Sequence, residues 1–132
     1  MFVPFLCVAI AALLPYLWSY VVLAQRVRQF GGFDNKLPRP EQARLEGLGA
    51  RAVGAASNAF ETFPLFAVPV LAATIVQLSP DRVMLLCVVY IVARFLHGVF
   101  YLMDLDKLRT LVFMVGFLAL MALYGLVLIA LA

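Results

Sequence analysis

The chain has 132 residues, 66% of them hydrophobic and 13% charged, with a formal net charge of +3 and a mean hydropathy of +1.06. A soluble domain of this length cannot hide so much apolar surface in one core, which excludes an ordinary water-soluble fold and points to an integral membrane protein. The positive charge is small and sits in loops, so it reads as membrane topology and not as a nucleic-acid surface.

Residues 2–25 carry no charge. The stretch is too long for a signal-peptide core and lacks a basic leader and a small-x-small cleavage site, so it predicts a first transmembrane helix. Pro15 predicts a kink, and Trp18 and Tyr20 are expected to anchor the helix at an interface. Residues 26–50 form the long polar stretch, where Gly31-Gly32, Asp34-Asn35 and the prolines at 38 and 40 predict a loop. The second span covers 52–78, with Pro64 and Pro69 predicting a bend. Ser79 to Arg82 is a tight connection to the third span, 83–103. Asp104 to Arg109 is a polar turn, and the fourth span, 110–131, has no charge. Asp104 and Asp106 read as turn residues, with Asp106 a possible cap of the last helix.

Each span can cross about 30 Å of hydrocarbon. The expectation is a single all-α domain over 1–132, a four-transmembrane-helix bundle. Arg26, Arg28, Lys36, Arg39, Arg44 and Arg51 lie in or beside the first loop, and Lys107 and Arg109 in the third, against Arg82 alone on the other side. The positive-inside bias places loops 26–50 and 104–109 in the cytoplasm and both termini opposite. Cys7 and Cys87 lie in separate apolar spans without metal spacing and read as buried free thiols. No metal site is expected.

Polar residues interrupt two of the spans. Arg94, His97 and Tyr101 are three, four and seven residues apart, which puts them on one helical face at about 100° per residue. Arg51, Asn58 and Glu61 make a second stripe. Ionisable groups at membrane depth are costly and face a partner or a wet cavity. Glu61 is the one carboxylate within a span, and either pairs with an arginine such as Arg94 or takes a cationic group of a ligand. The inventory exceeds what one packing cluster needs, and its placement towards one end suits a small anionic ligand entering from the cytoplasm. His97, without a carboxylate at hydrogen-bonding spacing, reads first as a packing or hydrogen-bonding residue.

Arg51-Ala52 through Asn58-x-x-Glu61-Thr62-x-Pro64, followed by Arg94-x-x-His97-x-x-x-Tyr101 and Arg109-Thr110, resembles the MAPEG family of membrane-associated proteins in eicosanoid and glutathione metabolism. The resemblance covers nearly the whole chain. It implies a homotrimer with glutathione, as co-substrate, bound between neighbouring subunits. It also implies a transferase or peroxidase acting on lipophilic small molecules that arrive through membrane lipid. By the same resemblance, Arg109 faces the glutathione sulfur with Thr110 beside it, and Arg94 and Tyr101 hold the tripeptide. Asn58 and Glu61 hold its polar and amino groups, Arg26 (or Arg28) reaches it from the end of the first helix, and Arg51 lies on the rim. His97 falls within the same ligand-binding set. The chain departs from the family pattern at Gly54, Ala56 and Ser57, where many members carry basic residues, and the match at Arg109 crosses a one-residue gap.

Two other readings follow from these residues. One is a lipid-binding member of the family without catalysis, favoured by the missing charges at Gly54 and Ala56. The other is a small multidrug exporter coupled through Glu61, opposed by the absence of a glutamate in the first span.

Overall fold

The computed structural model describes residues 1–132 and contains five helices and no strand. They are α1 (Phe2–Phe30), α2 (Pro38–Gln42), α3 (Leu48–Ile75), α4 (Pro80–Leu102) and α5 (Asp106–Leu131). All but α2 are long and apolar enough to cross a membrane. The four form a bundle in which α1 lies along α3 and α4 along α5, and the chain is an integral membrane protein.

The main core draws on every long helix: Cys7 and Ala11 from α1, Phe66 and Val70 from α3, Cys87 and Tyr90 from α4, Leu120 and Leu123 from α5. Phe66 and Tyr90 stack with ring centroids 4.0 Å apart. Both cysteines are buried and free. Towards the loop end, Ala52, Ala55, Ala56 and Ala59 are buried on α3 and let its backbone approach α1 closely. Outside these seams the long helices expose Leu, Val, Ile and Phe, the surface that hydrocarbon or another subunit covers.

The helix ends differ from the sequence expectation in ways that composition does not encode. Apolar character stops near Gln25, yet α1 runs on to Phe30 and stops at Gly31, whose left-handed backbone (φ 75°) donates its N–H to Val27 at 3.0 Å. Arg26 and Arg28 therefore ride on a helix. The polar stretch contains a one-turn helix, α2, started by Pro38, which fits the first helical position because it needs no N–H partner. At the other end α3 stops at Ile75, short of Leu78. Leu78 N–H returns to the Ala73 carbonyl (3.0 Å) and Leu105 N–H to Phe100 (2.9 Å), closing α3 and α4 across left-handed Gln77 and Asp104.

Pro15, Pro64 and Pro69 lie inside continuous helices. Pro69 has no N–H for the Leu65 carbonyl four residues earlier, and the Tyr124 hydroxyl of α5 donates to that carbonyl at 3.0 Å. Trp18 is also placed differently from expectation. It is buried between α1 and α4, where a Cβ on Gly98 would lie 2.2 Å from its ring, so the glycine makes room for the indole. Tyr20 remains exposed. Asp106 opens α5 without a side-chain cap, and its carbonyl accepts the Thr110 hydroxyl.

Candidate functional site

Asn58 and Thr62, one turn apart on α3, face α4. Arg94 comes from the middle of α4, is 5% exposed, and donates to the Asn58 side-chain oxygen. Its guanidinium also lies 5.8 Å from the Phe113 ring of α5. The second terminal nitrogen, Nη1, is buried with no protein partner. A buried guanidinium N–H without an acceptor is costly, and it marks a place where a ligand oxygen or water is stabilised. Beside it lies a cavity of about 100 Å³, open between α3 and α5 and lined by Thr62, Leu65, Tyr90, Phe113, Phe117 and Leu120 together with Arg94 itself.

Two turns further along α4, Tyr101 lies across the start of α3 and α5. Its hydroxyl packs on Gly54, where a Cβ would meet it at 2.5 Å. The Arg109 guanidinium stacks on the Tyr101 ring at 4.3 Å from the centroid, a cation–π contact that fixes the charge and uses none of its donors. His97 is buried beside Tyr101, edge-on to its ring at 5.7 Å and 5.8 Å from the Phe113 ring. Thr110 is exposed beside Arg109, and its hydroxyl donates to the Asp106 carbonyl at 3.0 Å. Arg51 closes this end. Its Nε donates to the Leu102 carbonyl at 3.2 Å and its Nη1 lies 3.4 Å from Asp104, holding the α4–α5 turn from which Arg109 starts.

Arg94, Asn58, Tyr101, Arg109, His97 and Arg51 thus form one connected set among α3, α4 and α5. The other sequence-predicted residues lie elsewhere. Arg26 is buried, paired with Glu41 of α2 through its Nε, and its Nη2 donates to the Asp34 carbonyl at 2.9 Å. Glu41 accepts the Asp34 N–H in turn, and Asp34 caps the N–H groups of Lys36 and Leu37. Arg26 is therefore the post on which the first loop is folded. Arg28 is exposed and lines an open loop groove of about 1,060 Å³, remote from Arg94. Glu61 does not meet Arg94. It is exposed on the α1 side of α3, lining a separate cavity with Arg39, Ser57 and Phe60.

Sequence reasoning did not single out Arg39 as a site residue. Its signal was present, since Pro38 and Pro40 bracket it at a helix-starting position, but a short helix folded back by a distant arginine has no periodicity to read. No group of three or more metal-ligating side chains comes together in the structure.

The model of the family described as MAPEG matches residues 3–129. No curated protein and no solved structure matches the chain.

Proposed function

The chain belongs to the MAPEG family, and from that premise we propose that it is a membrane-bound, glutathione-dependent transferase or peroxidase acting on lipophilic electrophiles. The observation that carries the reading is the pair of guanidinium groups on adjacent helices. Arg94 is buried with one N–H group free, and Arg109 is held by a ring face with all its donors available.

A guanidinium beside a thiol favours the thiolate, which is the reacting nucleophile. In this reading Arg109 stabilises the glutathione sulfur as the anion, Thr110 offers a hydroxyl next to it, and Tyr101 fixes the direction of Arg109. Arg94 and Asn58 hold a carboxylate or amide of the tripeptide, Arg51 closes the rim, Glu61 takes its amino group, and His97 supports Tyr101. Arg26 acts from the loop it anchors. In conjugation the sulfur–carbon bond forms as the bond from carbon to its leaving group breaks; the leaving group departs with the electron pair and the thiol proton passes to solvent. In the peroxidase version two glutathione molecules reduce one lipid hydroperoxide to an alcohol and water, and become the disulfide.

Glu61 and the Arg94–Arg109 set face different sides of one chain. That separation supports a homotrimer in which a ligand between subunits touches one face of each neighbour. The basic loops face the cytoplasm in this arrangement, and the apolar cavity beside Arg94 receives the lipophile from the bilayer.

The direct test is conjugation of glutathione to an aryl halide by the purified protein in detergent. The wild type is expected to turn over, and Arg109→Ala to lose about 100- to 1,000-fold in rate, the usual cost of deleting one preorganised stabiliser of a reacting anion. Absence of turnover with aryl halides and lipid hydroperoxides alike contradicts the reading. Glutathione-independent retention of a lipophile in the cavity beside Arg94 then favours a lipid-binding protein.

A further inference from the structure

The α1 face of α3 carries a second polar site. Two cavities of about 270 Å³ each share the wall formed by Arg39, Ser57 and Phe60; one extends to Glu61, the other to Ser19 and Gln42. Each approaches the lower end of the roughly 300–1,000 Å³ range usual for small-molecule sites. Phe60 is steadied by an edge-on contact with Tyr16 at 5.5 Å. Arg39 is the only cation lining either cavity, because Ala56 and Ser57 supply none, and Glu61 is the only anion.

These two opposite charges line one cavity without forming an ion pair. A ligand that is only anionic meets Glu61 unfavourably, and one that is only cationic meets Arg39 unfavourably. A group bearing an ammonium and a carboxylate on one carbon satisfies both. We propose that Arg39 is a specificity-determining residue which, with Glu61 and the Ser57 hydroxyl, clamps the zwitterionic α-amino-acid end of the thiol ligand. The guanidinium takes the α-carboxylate and Glu61 takes the ammonium. This rests on the glutathione reading above: the γ-glutamyl end of that tripeptide is the part that carries both groups on one carbon.

Arg39 is placed by Arg26. Both Arg39 and Glu41 belong to the one-turn helix α2, and the buried Arg26–Glu41 pair ties that helix to α1. Pro38 and Pro40 fix the backbone on either side of Arg39. Arg26 is thus a positioning residue that acts through Arg39.

The test uses the full chain in detergent and three ligands: glutathione, its analogue lacking the α-amino group, and its analogue lacking the α-carboxylate. The wild type is expected to bind each analogue about tenfold or more weakly than glutathione, the scale of one lost charge-assisted contact. Arg39→Ala is expected to bind glutathione about tenfold more weakly and to stop discriminating against the decarboxylated analogue, while still rejecting the deaminated one. Glu61→Gln shows the reverse pattern, and Arg39→Lys recovers part of the carboxylate preference. Arg26→Ala follows Arg39→Ala in ligand pattern, with faster amide exchange over residues 31–42. If Arg39→Ala discriminates like wild type, or weakens all three ligands equally, the clamp is wrong while Arg109-dependent glutathione binding still stands. If the wild type binds no glutathione, the clamp and the reading beneath it both fall.

Discussion

Asn58 and Ser57 are neighbours in sequence and belong to two different environments. On the α4 side, Asn58 faces Arg94 in a setting closed by Tyr90, Phe113 and the Tyr101–Arg109 stack. On the α1 side, Ser57 and Glu61 face an open cavity with Arg39, and no ion pair joins the two charges. Charges on the closed side are fixed by protein contacts, Arg94 on Asn58 and Arg109 on the Tyr101 ring, so they set the shape of the site and its electrostatics while keeping donors free. Charges on the open side keep their hydration and their freedom, so they are available for recognition. One helix thus separates the group proposed to activate a ligand from the groups proposed to select it.

The largest effect that breaks this comparison is expected at Arg26. Its pair with Glu41 leaves the two side chains 7% and 13% exposed. Removing one partner of a buried pair costs about 3–5 kcal/mol. Arg26→Ala should release residues 31–42, seen as faster amide exchange confined to that loop, with α4 and α5 unchanged. Next is Asn58→Ala, which leaves a second Arg94 N–H unpartnered at about 1–3 kcal/mol. Thermal unfolding in detergent should shift down, and Arg94→Met should be milder than Asn58→Ala, because it removes the buried charge along with its need for a partner. A similar magnitude, about 1–3 kcal/mol, is expected for Gly54→Ala, whose Cβ would press on the Tyr101 hydroxyl. This change should unseat Arg109 and lower turnover while leaving discrimination among glutathione analogues intact, which sharpens the division between the two sides. The smallest effect is expected at Arg51. Its pair with Asp104 is exposed (30% and 73%), so Arg51→Ala should change stability by about 0–1 kcal/mol, in a salt-dependent way.

The sequence made some of this readable. Helical spacing predicts that Arg94, His97 and Tyr101 share a face, and they do: the two rings meet and Arg94 lies on the same inward side of α4. Four apolar stretches are enough to expect four long helices. Two other features needed tertiary information. Trp18 looks like an interfacial anchor until Gly98, eighty residues later, is seen to make its pocket. Arg26 has a partner fifteen residues away across an irregular loop, where no periodic pattern specifies the contact. Glu61 shows the limit of stripe reasoning. A spacing of three residues leaves it about 60° from Asn58 around the helix, and that is enough to send the two into different grooves.

The central claim is that Arg109 holds a glutathione thiolate, and thiolate absorbance across a pH titration measures it directly. An ordinary thiol ionises near pH 8.5. Because a guanidinium favours the anion, the protein-bound thiolate signal should persist at pH values well below that midpoint, and Arg109→Ala should return the midpoint to the free-thiol value. A wild-type titration that overlays free glutathione, or a lowered midpoint that survives Arg109→Ala, would contradict the account.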